Sequence, residues 1–439
     1  MKDHLGLELT GADGTALPPY QRALAGLQCF AGDPVSAVEE AIAARPDFVM
    51  AHVLKGYLYA LSTEASAAAI ARQTAAAASL LPATTREARH VAALAALSNG
   101  QWHAAGRMLS DLTAEFPRDA LALQAGHQID FFTGNAPMLR GRIEAALPAW
   151  DDTMPGYHAI LGMHAFGLEE NGHYAQAESS GRRAVELEPR DGWAHHAVAH
   201  VMEMQCRQRD GIAWMRDNVD NWSKDSFLKV HNWWHLALYH YELGEAAEVL
   251  ALYDGPIYGS RSTLALNMVD ASAILWRLHL GGVDAGHRWQ GLADNWQAAS
   301  PGGHYAFNDV HAAMAFVGAV RWRALDALLD AQQSAIAGAG DNVAFTRDIG
   351  RPATLAIAAF GRGDYGAAVR HLLPIRAIAS RFGGSHAQRD VLELTLIQAA
   401  IRAGARDLAR QLTSERQAER AHSPLTGLFA DRAAYLAET

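Results

Sequence analysis

Residues 161–189 read LGMHAFGLEENGHYAQAESSGRRAVELEP. In this stretch Leu161-Gly162, Gly172-His173-Tyr174, Ala177, Ala184 and Leu187 put small or apolar residues where two paired helices would touch, and Pro189 stops the second helix. Prolines recur in the same place: Pro46, Pro82, Pro117 and Pro189 are separated by 36, 35 and 72 residues, the last being twice 36. A helix-turn-helix unit repeating about every 34 residues is the tetratricopeptide signature. Similar units run from Ala41 to Leu61, from Asn99 to Pro117 and from Trp233 to Tyr253, the last turning at Leu243-Gly244-Glu245.

Beyond about Ser260 the spacing loosens, but helical patterning continues through Ala271 to Trp276, Val310 to Leu329, Pro352 to Phe360 and Val391 to Leu412, punctuated by glycine pairs. The expected fold is therefore all-α: a single tetratricopeptide-like solenoid of helical hairpins over residues 1–439. Its repeats are regular over about 17–258 and irregular over about 260–439, and the C-terminal half is free to curl back on the first half.

The 439 residues are 50% hydrophobic and 19% charged, a balance that suits amphipathic helices burying one face. The formal charge of -10 leaves no basic footprint for nucleic acid or an anionic membrane surface. Neither an N-terminal apolar run nor an 18-residue apolar span is present, which leads to the expectation of a cytoplasmic protein. The two cysteines, Cys29 and Cys206, are read as reduced.

Chemistry concentrates in one interval. Nine of the 21 histidines lie between His158 and His240, and five of the 11 tryptophans between Trp193 and Trp234. His196, His200 and Glu203 are spaced i, i+4 and i+7, one helix face. His231 and His235 repeat the i, i+4 spacing, and both differences, 231 − 196 and 235 − 200, equal 35, one repeat. A further step of 35 from His235 reaches Asp270. Equivalent positions on neighbouring first helices, about 8 to 10 Å apart, can converge on one ion or small ligand.

Three chemistries suit that stripe. Imidazoles and carboxylates ligate transition metals, with zinc or iron the leading candidates, and His196, His200, His231 and His235 are the expected ligands. The same groups could form a metal-free acid-base site with Glu203 or Asp270 as partner. A buried hydrogen-bond network that fixes helix register needs no ligand at all. Trp193, Trp233, Trp234 and Tyr239 are the expected walls of a substrate pocket, implying a small molecule with an apolar or aromatic part.

Outside the stripe, His127 and His164 sit on preceding first helices and could extend it. Phe307-Asn308-Asp309-Val310-His311 sets an acid beside a base, catalytic in one reading and an N-cap by Asn308 or Asp309 in the other. Gly383 to Asp390 could present Arg389 to an anion, while Ser385 with Gln388 fits a capping box. Cys206 lies three residues past Glu203, and nothing in its surroundings marks it as a nucleophile. No Walker loop, GxSxG elbow, HExxH or Rossmann fingerprint occurs.

On Trp193 to Met204, His231 to Tyr239, Phe307 to His311, Leu372 to Arg376 and Gly383 to Asp390 the chain resembles the tetratricopeptide-repeat protein thirty-eight family. The resemblance runs over nearly the whole chain and implies a tetratricopeptide-like fold without a transferable activity. It places His196, His200, Glu203, His231, Asn232, His235, Asn308, Asp309, His311, Gln388, Arg389 and Asp390 on the family's polar motif positions. Gln128 stands where that family carries an acid after the residue matching His127.

Two functions follow from these readings. The first is a small-molecule enzyme or enzyme-like binder, metal-dependent or acid-base, with Glu203, Asp270, Asp309, His311 and Arg389 as catalytic candidates. Asn232 and His127 join the substrate walls. The second is a non-catalytic peptide- or protein-binding tetratricopeptide scaffold with a structural histidine network. A homodimer is the default assembly in either reading.

Overall fold

The computed structural model describes residues 1–299 and 302–436. They form helices throughout; the β-bridges Lys2–Glu8 and Ala31–Ser226 are isolated pairs, and no strand occurs among the described residues. The fold is all-α and tetratricopeptide-like. No helix among these residues is long and apolar enough to cross a membrane. The chain divides into two compact units, Met1–Val201 with Asn218–Asn232, and Met202–Asp217 with Trp233–Thr439.

The first unit is a series of hairpins: Leu17–Cys29 with Pro34–Ala44, Val49–Ala60 with Ala65–Ala78, Thr85–Ser98 with Trp102–Glu115, Ala120–Phe132 with Ala136–Ala146, and Tyr157–Glu169 with Tyr174–Leu187. The second helices of four of these hairpins stop just before Pro46, Pro82, Pro117 and Pro189, as the period requires. Two residues after Pro117 and Pro189 an aspartate restarts the chain: Asp119 Oδ1 accepts from Ala122 N at 3.0 Å and Asp191 Oδ1 from Ala194 N at 2.9 Å. Such N-caps contribute about 1 kcal/mol each. The free oxygens reach back one repeat, Asp119 to His90 Nε2 at 2.9 Å and Asp191 to His158 Nδ1 at 2.7 Å.

Close packing fixes the hairpins. A Cβ at Gly167 would stand 2.5 Å from the Leu139 carbonyl oxygen, so only glycine lets the Tyr157–Glu169 helix lie this close to Ala136–Ala146. The core gathers Phe30, Leu123, Leu139, Ile143, Ile160, Phe166 and Trp193.

The second unit is less regular for a visible reason. The Ala265–Leu280 helix is buried nearly all round and packs against both Ala306–Gly318 and His386–Arg402. Trp276 Nε1 donates to Thr395 Oγ1 at 3.0 Å, Arg277 Nη2 to the Ala387 carbonyl at 2.6 Å, and Arg402 Nη2 to the Leu280 carbonyl at 2.9 Å. Arg351–Gly361 packs against both Ala306–Gly318 and His386–Arg402, so the first-type helices of this unit close on themselves. A helix surrounded by neighbours needs apolar residues on every face, which blurs the periodic pattern that a regular repeat shows.

Candidate metal centre

Asp191 starts the Gly192–Met204 helix, and its first turns carry Trp193, His196 and His200 toward Phe166 of the Tyr157–Glu169 helix. The ring of Phe166 stacks on His196 with centroids 5.4 Å apart and meets His200 edge-on at 5.3 Å. Trp193 lies 4.7 Å from His196, and Phe30 stacks on the indole at 5.2 Å. His196 and His200, one turn apart, hold their centroids 4.4 Å apart.

The Lys229–Glu242 helix delivers His231. Its Nε2 faces His196 Nε2 at 3.1 Å. Ligand atoms of His196, His200 and His231 lie within 4.8 Å of one another. His196 and His200 are buried and His231 half-buried. Asn232, the next residue, is buried and donates from Nδ2 to the Gly192 carbonyl at 3.2 Å, joining this helix to the start of the other. Asn232 thus sets the register that brings the imidazoles together.

A carboxylate edge completes the group. Glu169 and Glu170, both buried, hold their oxygens within 4.8 Å of each other and of a His200 ring nitrogen, with Glu169 Oε2 3.5 Å from His200 Nδ1. Sequence reasoning did not single out these two glutamates. Their signal is the repeat itself, since 203 − 169 is 34, so Glu169 occupies the position of Glu203 one unit earlier.

His127 joins the aromatic side of the cluster, edge-on to Phe166 and Trp193 at 5.9 Å each. Among the described residues its ring nitrogens meet only the approach of the Leu139 carbonyl. Burial, then the nearby Arg142 guanidinium, pulls its pKa down to about 3, and the approach of the Leu139 carbonyl opposes this weakly. Arg142 itself chelates Asp130 from Nε at 2.7 Å and Nη2 at 3.2 Å. His164 points elsewhere, to Glu144 at 3.8 Å and Ser180 Oγ at 3.5 Å.

The second unit holds the remaining candidates. His235 Nδ1 lies 3.1 Å from Glu203 Oε2, and Asp270 is buried on the Ala265–Leu280 helix. Trp234 is fully buried beneath the Arg277 guanidinium, 5.3 Å from its ring centre, and Trp233 is half-buried. Tyr239 fills the space beside Gly211, where a Cβ would meet its ring at 2.2 Å.

Asp309 and His311 sit inside the Ala306–Gly318 helix, whose first N–H, that of Ala306, donates to Asn342 Oδ1 at 2.9 Å. Both Asp309 oxygens accept from Gly303 N at 3.1 Å, and burial raises its pKa to about 7. His311 Nδ1 donates to the Phe307 carbonyl at 2.8 Å, and burial lowers its pKa to about 4. Two residues apart on a helix, the acid and the base point different ways.

Ser385 and Gln388 form the expected capping box, and Arg389 Nη1 donates to the Gly384 carbonyl. Asp390 is paired with Arg416; burial opposes its charge, but Arg416 and Arg420 hold its carboxyl well below the usual range. Cys206 has a left-handed backbone, φ 56°, and burial pushes its thiol pKa up, away from thiolate chemistry; neither it nor Cys29 is in a disulfide.

The motif stretches therefore divide, His196, His200, His231 and Asn232 in the first unit, and Phe307–His311, Leu372–Arg376 and Gly383–Asp390 in the second. No family model matches the chain. It is similar to the solved structure of a monomeric IFIT1 mutant with Gppp-AAAA, at 15% identity over 100% of this chain and 98% of that one, TM-score 0.42. For yeast Tom70 the values are 13%, 95%, 88% and 0.34, and for the P58(IPK) TPR domain 12%, 92%, 89% and 0.21.

Proposed function

We propose that the first unit binds a transition-metal ion through His196, His200 and His231, and that the ion serves a small substrate with an apolar or aromatic part. The supporting observation is the convergence of three imidazoles from two helices within 4.8 Å, with Glu169 and Glu170 at their edge. Metal–nitrogen bonds of about 2.0–2.1 Å put ligand atoms roughly 3 to 4 Å apart, so a small inward movement suffices. Mixed imidazole and carboxylate donors suit zinc or iron. A bound ion would supply Lewis-acid polarisation of a substrate oxygen or an activated water. The chain's own residues fix the imidazoles in place and, through Phe30, Phe166 and Trp193, keep bulk water from them.

The test is elemental analysis of untagged protein beside the His196→Ala, His231→Ala double variant. One ion per chain in the first and none in the second, with equal helix content, supports the proposal; no ion in either after reconstitution with Zn²⁺ or Fe²⁺ overturns it.

A second reading, the peptide- or protein-binding scaffold, is favoured by a separate feature of the second unit. A groove of about 710 Å³ runs past Leu372, Leu373, Ile375, Leu392 and Leu396. Its charged rim is largely self-paired, Arg376 with Glu393 and Glu415, and Arg416 with Asp390, and of its apolar residues Leu373, 43% exposed, is the one open to a partner. Pull-down with Leu373→Glu, at equal helix content, against wild type checks this reading: partners lost by the variant support it, and identical partner sets remove it.

A further inference from the structure

Two histidine–glutamate pairs repeat at the repeat period. In the first unit His200 Nδ1 stands 3.5 Å from Glu169 Oε2, and in the second His235 Nδ1 stands 3.1 Å from Glu203 Oε2. The histidines are 35 residues apart and the glutamates 34, and the same atoms meet in both copies. In each, the glutamate comes from the first helix of one repeat and the histidine from the first helix of the next. Three of the four side chains are fully buried, Glu203 being 12% exposed.

We propose that Glu169 is a positioning residue for His200. A carboxylate facing Nδ1 favours the tautomer in which Nδ1–H donates to it, and this leaves the Nε2 lone pair as the only one the ring can offer an ion. The arrangement also makes the imidazole a better donor, because negative charge behind a ligating ring raises its basicity. The 3.5 Å separation is long for a hydrogen bond, so ion binding draws the pair together. Glu203 does the same for His235 in the next repeat. This inference deepens the metal-binding proposal and rests on it only for the ion; the tautomer stands by itself.

The experiment therefore reads both. Long-range ¹H–¹⁵N spectra of the metal-free protein, with His200 assigned by comparison with His200→Gln, are expected to show the Nδ1–H tautomer in wild type and its loss in Glu169→Gln. Titration with Co²⁺ is expected to give a Kd looser by about 10- to 100-fold in Glu169→Gln and shifted visible bands, with Glu169→Asp intermediate. Unchanged tautomer and Kd in Glu169→Gln overturn the inference. So does abolished Co²⁺ binding with the tautomer kept, which would make Glu169 a ligand. If Glu169→Gln fails to fold, Glu169→Asp carries the same readings, and an intermediate Kd is required. If wild type binds no Co²⁺, the metal proposal falls and the tautomer spectra alone decide this one.

Discussion

The Nε2 atoms of His196 and His231 face each other at 3.1 Å, brought from two helices 35 residues apart. Two bare lone pairs repel at that distance, so one ring donates an N–H to the other. Replacing the proton by an ion is a competition that acid biases toward the proton.

From that relationship, Zn²⁺ is expected to raise the melting temperature of wild type and EDTA to reverse the rise. Saturation at 100 times Kd stabilises by about 2.7 kcal/mol, a shift of roughly 5–11 °C for a unit of this size. In His231→Ala the shift should vanish while the EDTA-treated melting temperature stays close to wild type. A Zn²⁺ shift of equal size in the variant would remove His231 from the ligand set. Scanning fluorimetry with and without chelator checks this.

Asp309 gives a pH dependence of defined sign. Its pKa is about 7 folded against 3.8 in the open chain, so the folded state binds the proton more tightly. The stability it contributes is fully present below pH 3.8 and is lost as pH rises through 7, a change of up to about 4 kcal/mol. Asp309→Asn, neutral at every pH and still able to accept from Gly303, is expected to be more stable than wild type at pH 8 and similar near pH 4. Urea denaturation at both values checks it; parallel profiles for the two proteins would contradict it.

His127 acts in the opposite direction. Its pKa falls to about 3 from 6.5, so the unfolded chain takes up a proton that the folded one refuses. The stability it gives is present above pH 6.5 and is lost as pH falls toward 3. His127→Phe removes the acid sensitivity while keeping a ring against Phe166 and Trp193. The variant's unfolding free energy should fall less than wild type's between pH 7 and pH 5. An identical fall would show that His127 is protonated when folded.

Two glycines of neighbouring helices separate packing from propensity. Gly167→Ala drives a methyl to 2.5 Å from the Leu139 carbonyl, overpacking that costs about 1–3 kcal/mol. Gly141→Ala meets nothing within 4 Å and should stabilise by roughly 0.5–1 kcal/mol through helix propensity. Melting temperatures that move in opposite directions are the expected result. A neutral Gly167→Ala would mean that the two helices can part cheaply.

Much was legible in the chain. Prolines at multiples of about 36 residues fixed where second helices stop, because proline cannot continue a helix wherever it falls. The i, i+4 histidines and their step of 35 identified the face that carries His196, His200 and His231, since helix geometry and repeat geometry are both local properties. The capping box at Ser385 and Gln388 was likewise written in four consecutive residues.

Tertiary structure alone decided the partners. That Glu169 and not His164 stands behind His200 depends on how the Tyr157–Glu169 helix is rotated against Gly192–Met204, and Gly167 allows its close approach to Ala136–Ala146. That Asp309 and His311 diverge, with their pKa values pushed to about 7 and about 4, depends on burial, which no spacing records. The closure of the second unit through Trp276, Arg277 and Arg402 has no periodic signature, because contacts made across more than a hundred residues leave only buried, uniformly apolar helices behind. Sequence fixes what each helix can offer on each face, and the packing of helix on helix decides which of those faces meet.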